Sequence, residues 1–177
     1  MKVEQSEYGQ IVFFSKDDFV DEGTFSYIKM IGIGAISKMA VLNFKTILTD
    51  PDPLSEDKHL IFTVQEVWNA LSASTQKAIM DHEFGHIADG QMDSETMKAA
   101  VENGGGAIVI PEWEFAADDF SAERNTKEGT LKALLECTDL FSKDAMYTDL
   151  GIKLKDDPVI SARLKRLGYE AAAEATA

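Results

Sequence analysis

The sequence predicts an α+β fold in which a small sheet on the N-terminal side packs on a helical C-terminal part. Three observations predict it. β-Branched and apolar runs dominate the chain up to about Thr63. From Gln65 onward, apolar residues recur at helical spacing and helix-capping residues stand between the runs. The best of these helices carries two histidines four residues apart, His82 and His86.

The strand side comes first in the chain. Ile11–Phe14 is a short β-type run, and Phe25–Ile36 and Met39–Thr49 are longer β-branched and apolar stretches parted near Ser37-Lys38. For the second of them a helix is the alternative. Asp50-Pro51-Asp52-Pro53 reads as a firm turn, and His59–Thr63 as another short strand. The pattern then becomes helical. Gln65–Leu71 makes one or two turns. Ser72 is placed to cap a helix from Ala73 to Asp89, and Gly90 to stop it. Pro111 suits the first turn of the next helix, which runs to about Asn125, with Glu112 and Glu114 favoured near its positive end. Further helices are expected over Lys127–Lys143 and Pro158–Leu167.

Length and composition set bounds. The chain has 177 residues, 45% of them hydrophobic and 27% charged, which suits one globular domain with its own core. That domain is expected to span residues 1–170, with a frayed, Ala-rich tail over 171–177. The net charge of -14 argues against nucleic acid, because phosphate binding needs clustered Lys and Arg, and equally against an anionic membrane surface. The most apolar stretch, Tyr27–Phe44, is interrupted by Lys29, Lys38 and Asn43 and reads as core strands, not as a membrane span. The start is polar and acidic, without a secretory pattern. Cys137 is the one cysteine, so no disulfide can form within the chain. It stands in an apolar helical pattern and reads as a small core residue. A reducing, cytoplasmic location is the expectation.

The chemistry concentrates in His82-Glu83-Phe84-Gly85-His86. Side chains four apart on a helix project from one face, so two imidazoles can hold one zinc ion from the same side. Glu83 is turned about 100° from His82. It borders such an ion without having to ligate it and can hold a water and accept its proton. The amide of Gln at this position could hold the water but not accept the proton. Catalytic zinc takes three protein ligands. The chain has three histidines, and the third, His59, reads as a surface residue beside Lys58. A carboxylate is therefore expected, and the best segment is Glu112-Trp113-Glu114-Phe115-Ala116-Ala117-Asp118-Asp119-Phe120. Glu114 and Asp118 share a helix face there, and the small Ala117 lets that helix come close to the first.

From about His59 to Leu167 the sequence resembles the gluzincin metallopeptidases, especially their compact cytosolic and minimal-domain forms. The parts that carry the resemblance keep the family's order: His82-Glu83-Phe84-Gly85-His86, then Glu114-Phe115-Ala116-Ala117-Asp118, which is similar to a Glu-x-x-Ala-Asp motif, then Asp157-Pro158 with Arg163-Leu164, which is similar to a His-Pro…Arg segment. The resemblance implies a zincin-like fold around a His-Glu-x-x-His helix. It implies zinc ligation by His82, His86 and Glu114, with Glu83 as general base, Asp118 orienting a ligating histidine and Arg163 steadying the oxyanion. Asp157 departs from the family, which usually has His there. Tyr147 is a further oxyanion candidate by position alone. Asn103-Gly104-Gly105-Gly106 would hinge Ala107–Ile110, which would serve as a substrate-pairing edge strand, as a lid or as a plain connection.

The expected function is that of a zinc endopeptidase acting on unfolded or extended protein or peptide segments. The rival expectation is a non-catalytic, zinc-containing regulatory or interaction module derived from a metallopeptidase. An intact Glu83 favours the enzyme, because a binding module has no use for the base. The sequence does not fix the oligomeric state.

Overall fold

The computed structural model describes residues 2–5, 9–14, 48–51, 59–91, 96, 99, 110–143 and 153–170. Four short backbone segments pair in the order β1-β2-β4-β3: β1 Lys2–Gln5, β2 Gly9–Phe14, β3 Leu48–Pro51 and β4 His59–Val64. β2 and β4 run parallel, with Ile11 opposite Ile61, while β1 and β3 pair antiparallel on the outside. The helices are α1 Gln65–Ala70, α2 Ala73–Ala88, α3 Pro111–Asn125, α4 Lys127–Phe141 and α5 Pro158–Arg166, with a 3-10 turn at Leu154–Asp156 before the last.

The expected architecture, a small sheet packed on helices, is corrected here. The described part of the chain is mostly helical, and a sheet packed on helices is not what it shows. Within the helices and the turns beside them the buried residues run from Leu71, Ala78 and Met80 to Ala117, Ala133, Leu164 and Leu167. The core described is helix on helix. The physical reason is that β-branched content reports a local backbone preference, whereas the layer that supplies a core is decided by which side chains find partners. The strand expectations for Phe25–Ile36 and for most of Met39–Thr49 lie outside the described residues, as do Tyr147, the 103–106 glycine turn and Ala107–Val109. One smaller correction concerns the Asp-Pro turn: Asp50 and Pro51 still pair with Leu60 and His59 as the end of β3.

The helix ends follow local chemistry. Ser72 caps α2, its Oγ accepting from the Thr75 amide at 3.4 Å. Glu136 of α4 adds to that end, accepting from the Ser72 amide (2.7 Å), the Ser72 hydroxyl (2.8 Å) and the Thr75 hydroxyl (2.5 Å). α3 opens on Pro111, whose missing N–H costs nothing in a first turn. Asp157 caps α5 by accepting from the Val159 and Ile160 amides at 2.9 and 3.0 Å. Thr126 alone separates α3 from α4. It takes φ 72° to do so, and its hydroxyl accepts from the Gly129 amide.

α2 lies at the centre, against α3 and α4. Gly85 is what lets α3 in. A Cβ at position 85 would stand 2.9 Å from the Ala117 Cα and 3.0 Å from the Phe120 Cβ. To the N-terminal side of this contact on α2 the polar groups are paired. The Ser121 hydroxyl donates to the Ala78 carbonyl at 2.8 Å. Asp81 takes Lys77 (2.8 Å) and the Asn125 amide (2.6 Å). The geometry predicts the outcome of Gly85→Ala. Helix propensity favours Ala by about 1 kcal/mol, but the nearest obstacle is backbone, and forced packing of this kind costs about 1–3 kcal/mol. A net loss of stability of up to about 2 kcal/mol is expected, read as a lower denaturation midpoint. A midpoint raised by the substitution would mean that the two helices are not held at this distance.

Candidate metal site

The C-terminal half of α2 turns His82, Glu83 and His86 inward, all three buried. The Gly85–Ala117 contact brings the first turns of α3 over them, so that Glu114 and the buried Asp118, one turn apart, face the two imidazoles. α5 then lays Arg163 across the two carboxylates. The sequence-predicted residues His82, His86, Glu114, Asp118 and Arg163 therefore meet in one place. Glu83 sits among them on α2, and its charge acts on both Arg163 and Cys137.

The contacts have a direction. The Nε2 atoms of His82 and His86 face each other at 3.2 Å. A Glu114 oxygen lies 3.4 Å from the first, and its other oxygen 3.7 Å from the second. One donor atom from each of these three residues falls within 4.8 Å of the others. Among the described residues, His82, His86 and Glu114 form the one cluster suited to holding a metal ion. The far side of each ring is occupied. The Nδ1–H of His82 donates to Asp118 at 3.0 Å, and His86 Nδ1 lies 2.7 Å from the Gln91 side-chain oxygen. Arg163 grips Asp118 with two parallel hydrogen bonds, Nε to Oδ2 at 2.9 Å and Nη2 to Oδ1 at 2.8 Å. Its Nη1 reaches Glu114 at 2.8 Å.

Electrostatics follows from this packing. Burial works against a charge on His82, and Arg163 adds to that, but its hydrogen bonds to Asp118 and Glu114 outweigh both and raise its pKa to about 9. Burial pushes Glu114 and Asp118 up. The hydrogen bond and charge of His82, together with Arg163, override it and hold each at about 2. The carboxylates of Glu114 and Asp118 thus stand against one guanidinium and one imidazolium, with the buried Glu83 beside them. The proton on His82 occupies the centre where the three donor atoms converge, and a cation of higher charge fits the same place. That is the test the donor set passes: two imidazole nitrogens and a carboxylate oxygen, with the outer ring nitrogens already tied down.

Motif reading did not find Gln91, which is 2% exposed. The signal was present in Gly90, because a helix that ends on a left-handed glycine folds the next residue back over its last turn. His59 begins β4. Cys137 is partly buried on α4 near the site. Burial, reinforced by the charges of Glu136 and Glu83 and opposed by Arg163, pushes its thiol up to about 12.

Only a thiolate alkylates readily. Iodoacetamide should therefore modify Cys137 in the folded protein at least about a hundredfold more slowly than in the unfolded chain at mildly alkaline pH. Comparable rates in the two states would refute that assignment. The sign for stability follows. The unfolded thiol loses its proton near about 8.5, and the folded one keeps it to about 12. The contribution is thus complete below the first value and disappears as pH climbs toward the second.

Compared with known proteins, the chain matches no family model, no curated protein and no solved structure. What the site does has to be read from its own chemistry.

Proposed function

We propose that the protein is a zinc-dependent peptidase of the gluzincin type that hydrolyses peptide bonds in extended protein or peptide segments. One observation carries this reading: two imidazole Nε2 atoms and a carboxylate converge from α2 and α3 on a buried point, with Glu83 beside them on the same helix. His82, His86 and Glu114 would hold the zinc. When bound there, zinc acidifies water toward about neutral pKa and polarises the scissile carbonyl.

The remaining chemistry belongs to the chain's own residues. Glu83 accepts a proton as the water oxygen bonds to the carbonyl carbon. It then delivers that proton to the nitrogen as the C–N bond breaks, giving a carboxylic acid and an amine. Asp118 holds His82 by Nδ1, so that Nε2 faces inward. Arg163 fixes Asp118 and Glu114 relative to each other, and its charge beside Glu114 is the one we assign to steadying the oxyanion. Among the described residues no helix is long and apolar enough to cross a membrane, and the net charge of -14 disfavours nucleic acid as a substrate.

The purified protein should take up about one zinc per chain. His86→Ala should lose it. Glu83→Gln should keep the metal and lose cleavage of an unfolded protein substrate by about a thousandfold or more. Cleavage retained in that variant would remove Glu83 from the reaction. Zinc bound with no cleavage in the unaltered protein would turn the reading to a binding module. The proton on His82 must leave before Nε2 can donate, so zinc affinity should rise with pH and level off above about 9. A chelator competition across that range measures it, and a flat profile would contradict the charge assignment.

A further inference from the structure

We propose that Gln91 is a positioning residue that fixes the tautomer of His86, through a relay that begins at Asp89. The inference rests on the reading of His86 as a metal ligand. Its structural part stands without any metal.

The relay is built by the way α2 ends. Gly90 takes φ 65°. The Gly90 amide donates to the Ile87 carbonyl at 3.0 Å and the Gln91 amide to the His86 carbonyl at 3.1 Å, the paired bonds of a Schellman motif. The motif folds the residue after the glycine back against the last turn, where an apolar side chain usually packs. Here that residue is Gln91, and what it meets is the Nδ1 of His86.

Three side chains then decide the polarity in turn. The Asp89 carboxylate can only accept. It lies 2.7 Å from Gln91, so the nitrogen of the amide must be the end that faces it. The oxygen of the same amide is thereby aimed at His86, 2.7 Å away. An amide oxygen has no proton to give, so His86 Nδ1 must carry one. In a neutral ring this leaves the lone pair on Nε2, the atom that faces His82 and Glu114. Asp118 does for His82 with a charge what Gln91 does for His86 with a dipole. The two ligand rings are oriented by groups of different charge, which keeps the number of buried anions at this end of α2 from rising.

The test combines nitrogen shifts and metal affinity. In the metal-free, unaltered protein, the imidazole nitrogen spectrum of His86 should place its proton on Nδ1. A proton on Nε2 would overturn the proposal whatever any variant does. Gln91→Met removes the acceptor at nearly constant size. It should give mixed tautomers and weaken zinc about 10- to 100-fold in chelator competition, with a changed visible spectrum when cobalt is substituted. Gln91→Glu combined with Asp89→Asn keeps an acceptor at Nδ1 with a donor behind it, and should return zinc affinity to within a few-fold of the unaltered protein. Unchanged affinity and tautomer in Gln91→Met, or no recovery in the double substitution, would refute the relay. Should the unaltered protein bind no zinc, the proposed function fails, and the nitrogen spectrum still decides the role of Gln91.

Discussion

Two helix backbones meet where neither carries much side chain, Gly85 on one and Ala117 on the other, and the site exists because they do. At this separation the face of α3 that bears Glu114 and Asp118 cannot avoid the face of α2 that bears the histidines. The 2.9 Å left for a Cβ at position 85 is a limit set by backbone, so it does not relax by rotating a side chain. Asp81 with Lys77 and Asn125, and Ser121 with the Ala78 carbonyl, hold the pair in register to the N-terminal side of the same contact.

What this closeness assembles is costly if regarded only as structure. Asp118, His82 and His86 are buried, and Arg163 and Glu114 nearly so. Ion pairs removed from water return little net stability, and apolar residues of the same volume often do better. Arg163 and the imidazolium of His82 nevertheless offset Glu114 and Asp118 in the metal-free state, with Glu83 as a further buried acid beside them. A core that needed only to pack would not concentrate its titratable groups about one point, with their outer atoms tied and their inner atoms facing one another. It is on these facing donor atoms, from His82, His86 and Glu114, that the proposed zinc site rests.

The sequence made some of this legible and left some out. The helices were readable from their punctuation. Ser72, Pro111 and Gly90 each mark an end by a mechanism that works locally, and the observed helices begin and end there; the cap at Asp157 shows only in the structure. The histidine face of α2 was readable because 3.6 residues per turn is a property of the backbone alone. The sheet-on-helix layering was not readable. Strand propensity says nothing of which layer a segment packs on, and the described core came out helical. Arg163 could be placed near the site only by resemblance. Its position depends on how α5 crosses α3, a tertiary fact that no spacing encodes. Gln91 was missed because its partner lies across a turn whose geometry depends on the sign of one dihedral angle.

The carboxylate of Glu136 has a consequence of a different kind. It belongs to α4, yet it accepts three hydrogen bonds from the first residues of α2. A cap supplied from within a helix lets its first turn fray alone. A cap supplied from a neighbour does not, since the turn can open only by letting go of another helix, with Thr126 alone joining that one to α3. Opening the first turn of α2 therefore also breaks its three hydrogen bonds to α4, so the start of the histidine helix is tied to a neighbour as well as to its own Ser72.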